Sequence, residues 1–238
     1  MKGRLLLVPA ALSENNPSSF LAFATLREIH ELKHFVAERA KTARQYLKSI
    51  EHPIPMAEIS VSELNKHGED DFRLLLQPCF EGHDCGLISE AGVPGVADPG
   101  GEIVRYAHQY SIEVVPLVGP SSLLLALMAS GMNGQRFSFH GYLAKDESEL
   151  ARQLKELEAE STRNSMTQMF IETPYRNLKM MDALLKTLNP QTEVCVASNL
   201  CASDQKIETK TVAEWKKSKI NFDRKPSVFL IFSGKFRS

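Results

Sequence analysis

Short apolar runs of four to six residues alternate along this chain with one-sided amphipathic stretches of ten or more, the pattern of repeated β-α units around a parallel sheet. In the first half the runs predict strands near 4–8 (RLLLV), 34–37 (HFVA), 55–61, 85–89 (CGLIS) and 112–117 (IEVVPL), with helices near 18–32, 39–50, 69–81 and 101–110. Ile103, Val104 and Ala107 make a one-sided stripe on the last of these helices. After Pro120 the alternation continues with a helix at 121–131, a strand at 136–141, a charged helix at 147–160, a strand at 167–172 and a helix at 176–188. Strands at 193–198, 205–211 and 227–232 follow, with a short helix around Trp215. The last three strands lack the long crossovers that a parallel return needs, which predicts antiparallel pairing in the second half. The expected fold is therefore α/β in two domains, a mostly parallel N-terminal one over 1–117 and a mixed-sheet C-terminal one over 118–238.

Composition agrees with this and removes several function classes. With 43% hydrophobic and 24% charged residues in 238, the chain buries a real core in one large or two small domains. Its 28 basic and 29 acidic residues nearly cancel, so no whole-chain field attracts nucleic acid or anionic membrane, and only a local basic patch remains available. Cys79, Cys85, Cys195 and Cys201 show neither CxxC spacing nor histidines at zinc-ligand distance, as expected of free thiols in a reducing cytoplasm. The seven histidines form no HExxH or paired cluster, so no metal site is expected. Lys2 and Arg4 ahead of LLLVPAAL resemble a secretory signal, but the run is short, is interrupted by Pro9, and equally makes a buried first strand. The longest later apolar stretch, LLLALMASGM from Leu123, falls short of the ~20 residues that span a bilayer, so no membrane segment is expected.

Two segments carry candidate chemistry. In SEAGVPGVADPGG, from Ser89, four glycines and two prolines in thirteen positions leave backbone as much of the exposed surface, as suits a loop around a flat or extended ligand. VGPSS at 118–122 ends a strand and offers Ser121 or Ser122 at a helix start, a capping signal that also suits a carboxylate. Each loop follows an apolar strand, the place where open α/β sheets bind ligands. Neither is a GxGxxG or a P-loop, so nicotinamide and nucleoside triphosphate lose their main support.

The order SEAGVPGVADPG (89–100), VVPLVGPSS (114–122), RFSFHGYL (136–143), MFIETPYR (169–176) and KPSVFLIFSG (225–234) resembles the tetrapyrrole methylase superfamily of class III S-adenosylmethionine-dependent methyltransferases. The match is nearest to the branch typified by ribosomal RNA small subunit methyltransferase I, a cytidine 2′-O-methyltransferase, and it is collinear over about 150 residues. The resemblance implies two α/β domains with S-adenosylmethionine in the cleft between them, and a cytoplasmic homodimer. Carried over by position, the cofactor residues are Pro9, Ala91, Gly92, Val93, Pro94, Val96, Ser121 and Ser122. In the second half they are Phe170, Ile171, Glu172, Ala197, Ser198, Asn199, Pro226 and Ser227.

This chain also departs from the branch. Its first strand ends VPAALSENNP where the branch has P-T-P-I-G-N, and AERAK at 37–41 replaces A-E-D-T-R, keeping Glu38 but placing Arg39 and Lys41 at the other two positions. Methyl transfer to a hydroxyl needs in-line positioning and a base, for which Glu90, Asp98 and Glu172 are the candidates, with Asp98 equally suited to fixing its own turn. Glu38, Arg39, Lys41, Tyr175 and Arg176 are the candidate substrate contacts. Three functions stay open: a methyltransferase acting on RNA or a ribosomal subunit, supported also by Arg39, Lys41, Arg44 and Lys48 on one helix; a methyltransferase on a small metabolite or tetrapyrrole; and a cofactor-binding relative without turnover. Tetrapyrrole enzymes read G-G-D-P where this chain has Ala91, Gly92, Val93, Pro94, which disfavours the second.

Overall fold

The structure is a computed structural model that describes residues 1–13, 20–64, 71–219, 221–222 and 224–235. The first turns expected at 18–19 and 69–70, His67, and the end of VPAALSENNP lie outside the described residues. The chain divides into a unit of Met1–Ser121 and a unit of Ser122–Ser238.

In the first unit, strands β1 (Leu5–Val8), β2 (His34–Ala37), β3 (Ser60–Glu63), β4 (Cys85–Ile88) and β5 (Val114–Pro116) form a parallel sheet in the order β3-β2-β4-β1-β5. Its central strands are apolar on both faces because helices cover both. Leu6, Val8, Phe35, Ala37 and Ile88 point toward α1 (Phe23–His30) and α2 (Ala40–Ser49). Leu5, Val36, Cys85 and Leu87 point the other way, toward α3 (Phe72–Leu75), α4 (Gln77–Phe80) and α5 (Gly100–Gln109). The period of two along each strand thus produces two cores from one sheet.

Two expectations are corrected here. The strand expected at 55–61 lies at Ser60–Glu63, because Pro53 and Pro55 lack the N–H groups a ladder needs and the chain turns through 56–58 first. The helix expected at 69–81 is broken at Leu76 into α3 and α4, with Pro78 in the first turn of α4, where its missing N–H is tolerated.

The second unit contains α6 (Ser122–Ser130), β6 (Phe137–Tyr142), α7 (Glu147–Asn164), β7 (Thr167–Glu172), a 3-10 turn at Pro174–Arg176, α8 (Asn177–Thr187), β8 (Glu193–Ser198), β9 (Lys206–Thr211), α9 (Val212–Trp215) and β10 (Ser227–Phe232). Sheet order is β6-β7-β10-β8-β9, with β6 and β7 parallel across the α7 crossover and the other pairs antiparallel, as the short connections imply. All six residues of the central strand β10 are buried. One face packs Phe170, Phe229, Ile231, Val194 and Val196 against α7, α8 and α9, and the buried Trp215 indole donates to the Val194 carbonyl at 2.8 Å.

Candidate functional site

Strands β4, β1 and β5 are neighbours and run parallel, so their C-terminal loops emerge at one edge of the sheet. Those loops are the segments the sequence singled out: Ser89–Gly100 after β4, Pro9 and Ala10 after β1, and Leu117–Ser121 after β5. The chain leaves β1 toward α1 on one face and β4 toward α5 on the other, so the two loops part at their shared edge, where open α/β sheets hold ligands.

Each loop is held by specific bonds. Ala10 N–H donates to Gly92 O at 2.7 Å and Gly92 N–H returns to Ala10 O at 3.2 Å. Gly92 has φ +75°, a left-handed conformation that only glycine adopts freely, and it turns the chain just after the strand. The Ser89 hydroxyl, itself buried, lies within bonding distance of the Ala91 and Gly92 carbonyls, at 3.3 and 3.2 Å. Gly119 meets Pro9 so closely that an added Cβ would lie 2.2 Å from the proline Cβ. The Pro9 carbonyl in turn accepts from the buried Tyr46 hydroxyl at 2.6 Å, and burial pushes that phenol up.

The three carboxylates proposed as bases are placed differently. Asp98 Oδ1 accepts from the N–H groups of Gly95 at 2.7 Å and Gly100 at 2.8 Å, so it closes the turn that precedes α5. Burial pushes its carboxyl up, against the pull of those two donors. Glu172 Oε1 accepts from Thr173 N–H at 2.7 Å and the Thr173 hydroxyl at 3.1 Å, and Arg176 Nη2 lies 3.4 Å from Oε2, an ion pair without hydrogen-bond alignment. Glu90 is half-buried and has no hydrogen-bond or ion-pair partner among the described residues.

In the second unit the positions expected to face the cofactor gather at one end of the sheet. Ser227 on β10 stands opposite Glu172 on β7 and Ser198 on β8, and all three are buried. Asn177, fully buried at the start of α8, donates through Nδ2 to the carbonyls of Phe222 (3.1 Å) and Lys225 (2.7 Å) and to Ser227 Oγ (3.2 Å). Its Oδ1 and the Ser198 hydroxyl have no hydrogen-bond partner among the described residues, an expensive condition for buried polar atoms that a ligand or ordered water relieves. Asn199 has φ 52°, and its amide meets the Asp204 carboxylate, so this side chain is tied to the turn after β8. Phe170 lies in the core with its ring parallel to that of Phe229, centroids 5.7 Å apart, and Ala197 is buried on β8 opposite Val228, so these two offer little but backbone. Ser122 opens α6, half-buried.

Of the expected substrate contacts, Glu38, Arg39 and Lys41 sit at the C-terminal end of β2 and the start of α2, with Arg39 and Lys41 exposed. The basic helix is less uniform than its sequence: Arg44 turns inward and donates to the carbonyls of Met56 (2.9 Å) and Ile59 (3.2 Å). Tyr175 is 71% exposed, whereas Arg176 is half-buried and pairs with the buried Glu172. Sequence reasoning missed Asn177 and Tyr46, and within VGPSS it picked out the serines rather than Gly119. Only Gly119 leaves a signal, a glycine between a strand end and a proline.

The chain matches the family model described as Tetrapyrrole (Corrin/Porphyrin) Methylases over residues 20–216. It is similar to the ribosomal RNA small subunit methyltransferase I of Bacillus subtilis, 31% identical over 212 residues that cover 89% of this chain and 68% of the relative. The protein of the same name from Halalkalibacterium halodurans is also 31% identical, over 196 residues, covering 82% of this chain and 64% of that one. The chain thus spans about two thirds of the length of these curated relatives. Its fold is similar to a solved structure titled "Crystal structure of the methyltransferase CobJ", with a TM-score of 0.63 at 15% identity over 97% of this chain and 94% of the other.

Proposed function

The chain belongs to the tetrapyrrole methylase family, and on that premise we propose that it is a methyltransferase that takes its methyl group from S-adenosylmethionine and delivers it to RNA. The observation that carries the cofactor part is the meeting of three loops at the ends of β4, β1 and β5, joined by the Ala10–Gly92 bonds and the Pro9–Gly119 contact. The residues present fit such a cofactor. A loop that shows backbone and small side chains suits a ribose and an amino-acid carboxylate, and the orphaned Ser198 hydroxyl and Asn177 Oδ1 are buried polar atoms wanting a partner. The proposed cofactor residues are Pro9, Ala91–Val96 and Ser121 in the first unit. In the second they are Ser122, Ile171, Ser198, Pro226 and Ser227, with the backbones of Phe170, Glu172, Ala197 and Asn199.

Bound there, the cofactor supplies a methyl group already activated by its positive sulfur, so the protein's task is orientation and proton removal. Glu90 is the proposed base, since Asp98 and Glu172 are both committed to local hydrogen bonds while the Glu90 carboxylate is free to accept a hydroxyl proton. RNA as acceptor rests on the names of the relatives and on the exposed Arg39, Lys41 and Lys48 along α2. A homodimer in the cytoplasm belongs to the same reading. Among the described residues no helix is long and apolar enough to cross a membrane, and no cluster of three metal-binding side chains occurs.

The test has two stages. A thermal shift with S-adenosylmethionine and S-adenosylhomocysteine, but not with ATP or NAD, is expected, worth about 2.7 kcal/mol at a hundred times the dissociation constant. Transfer of labelled methyl to small-subunit ribosomal RNA, in preference to tetrapyrroles or a metabolite pool, then supports RNA as acceptor. Binding of the cofactor without transfer to any pool overturns the enzymatic reading in favour of a relative without turnover.

A further inference from the structure

At the C-terminal ends of β1, β4 and β2, entirely within the first unit, a cavity of about 360 Å³ opens between these strand ends and one face of α2. Its floor is buried and apolar, formed by Ala10, Ala37, Ala43 and Ile88. Gln45, exposed, and Thr42, half-buried, line the helix side.

Two charged side chains of opposite sign, Arg39 and Glu90, line this same cavity, yet they form no ion pair with each other or with any described residue. Arg44, on the same helix, is instead bonded to two carbonyls. An unpaired cation and an unpaired anion around one apolar floor complement a ligand with a flat apolar body, an anionic group and a separate hydrogen-bond donor. A single nucleotide has those parts: base, phosphate, and hydroxyl or amino group. The volume lies at the low end of ligand cavities, enough for one nucleoside and too small for a duplex or several stacked bases.

The cavity also adjoins the proposed cofactor loop by covalent continuity. Ser89 and Glu90 line it and run directly into Ala91–Val96, and Ala10, on its floor, is bonded to Gly92.

We propose that this cavity receives one nucleotide turned out of the RNA, with Arg39 on a flanking phosphate and Glu90 facing a donor of the nucleoside. The inference rests on RNA being the acceptor and deepens that reading by placing the acceptor. A base atom inside a duplex is reached only once its nucleotide leaves the stack, and a one-nucleoside pocket beside the donor loop has room for a nucleotide turned out in this way. Arg39 is then a specificity-determining residue that acts through charge, and α2 is the wall that fixes how deep the nucleotide enters.

The test uses the full chain and four variants: Arg39→Glu, Arg39→Ala, Thr42→Trp and Gln45→Trp. The last fills the mouth from an exposed position, so it keeps the fold where Thr42→Trp does not. Binding of a nucleoside 5′-monophosphate by calorimetry, methyl transfer to small-subunit ribosomal RNA, and the thermal shift with S-adenosylmethionine are measured on each. Each folded variant is expected to weaken nucleotide binding and RNA transfer at least tenfold and to keep the full cofactor shift. Arg39→Ala should reduce the slope of log affinity for RNA against log salt by about 0.7, the share of a single neutralised phosphate. If the wild type methylates RNA and Gln45→Trp and Arg39→Glu do so equally well, the cavity is not the acceptor site while the RNA reading stands. If the wild type binds cofactor and methylates no RNA, the RNA reading and this placement fall together.

Discussion

Ala10 and Gly92 bond to each other reciprocally, N–H to carbonyl in both directions at 2.7 and 3.2 Å, and thereby lock the loop after β1 to the loop after β4. Gly92 accepts this geometry because its φ of +75° carries no side-chain penalty. Gly92→Val is expected to lose about 1–3 kcal/mol from backbone strain and to abolish the S-adenosylmethionine-induced thermal shift while the protein stays folded. A valine variant that retained the full shift would place the cofactor elsewhere.

Gly119 and Pro9 make the second joint between loops. A methyl group at 119 would sit 2.2 Å from Pro9 Cβ, against a ring whose own carbonyl is held by Tyr46, so the clash has no flexible side chain to relieve it. Gly119→Ala is expected to destabilise the protein by about 1–3 kcal/mol, read as a lower midpoint in urea with unchanged m-value. Stability equal to wild type would mean that the two loops separate freely.

Ser198 keeps a buried hydroxyl without a partner among the described residues. Removing an unsatisfied polar group costs little, so Ser198→Ala is expected to leave the ligand-free melting temperature unchanged or raised and to shrink the cofactor-induced shift. A fall of several degrees without ligand would instead assign the hydroxyl a structural bond.

Glu90 and Asp98 separate by their surroundings. Glu90→Gln is expected to slow transfer roughly 10²–10⁴-fold without changing cofactor affinity, the range for loss of a positioned base. Asp98→Asn keeps an acceptor for Gly95 and Gly100, and it removes a carboxylate whose charged form burial disfavours. It should therefore cost far less activity and be at least as stable as wild type at neutral pH. Kinetic profiles against pH check both.

Asp84 accepts from Arg4 N–H at 2.7 Å, Nε at 3.0 Å and Nη2 at 2.6 Å. Burial works to raise this carboxyl, but the Arg4 side chain, its backbone N–H and its charge outweigh burial and hold it below the ordinary carboxylate value. A depressed folded-state value means stability that is present above the unfolded value and is lost as pH falls through the folded one. The melting temperature is expected to drop on acidification below the ordinary carboxylate range, with a flatter profile for Asp84→Asn. Both side chains are partly exposed, at 31% and 39%, so the difference should also shrink in high salt.

The sequence by itself determined the elements and the loops that matter. Strand faces alternate with period two and are buried on both sides, so runs such as CGLI and SVFLIF declare themselves, and the glycines and prolines of 89–101 announce a loop made of backbone. The same local logic placed β3 too early and fused α3 with α4, since propensity weighs prolines only roughly against their neighbours. Strand order, and with it the meeting of Pro9, Gly92 and Gly119, was decided by the tertiary structure alone, because nothing local says that β1 lies between β4 and β5. The state of each charged group was likewise invisible in sequence. Arg44 and Arg39 are the same residue type about one helical turn apart, yet one is bonded to Met56 and Ile59 and the other lines a cavity without a partner among the described residues, because partners for a guanidinium come from segments distant in the chain.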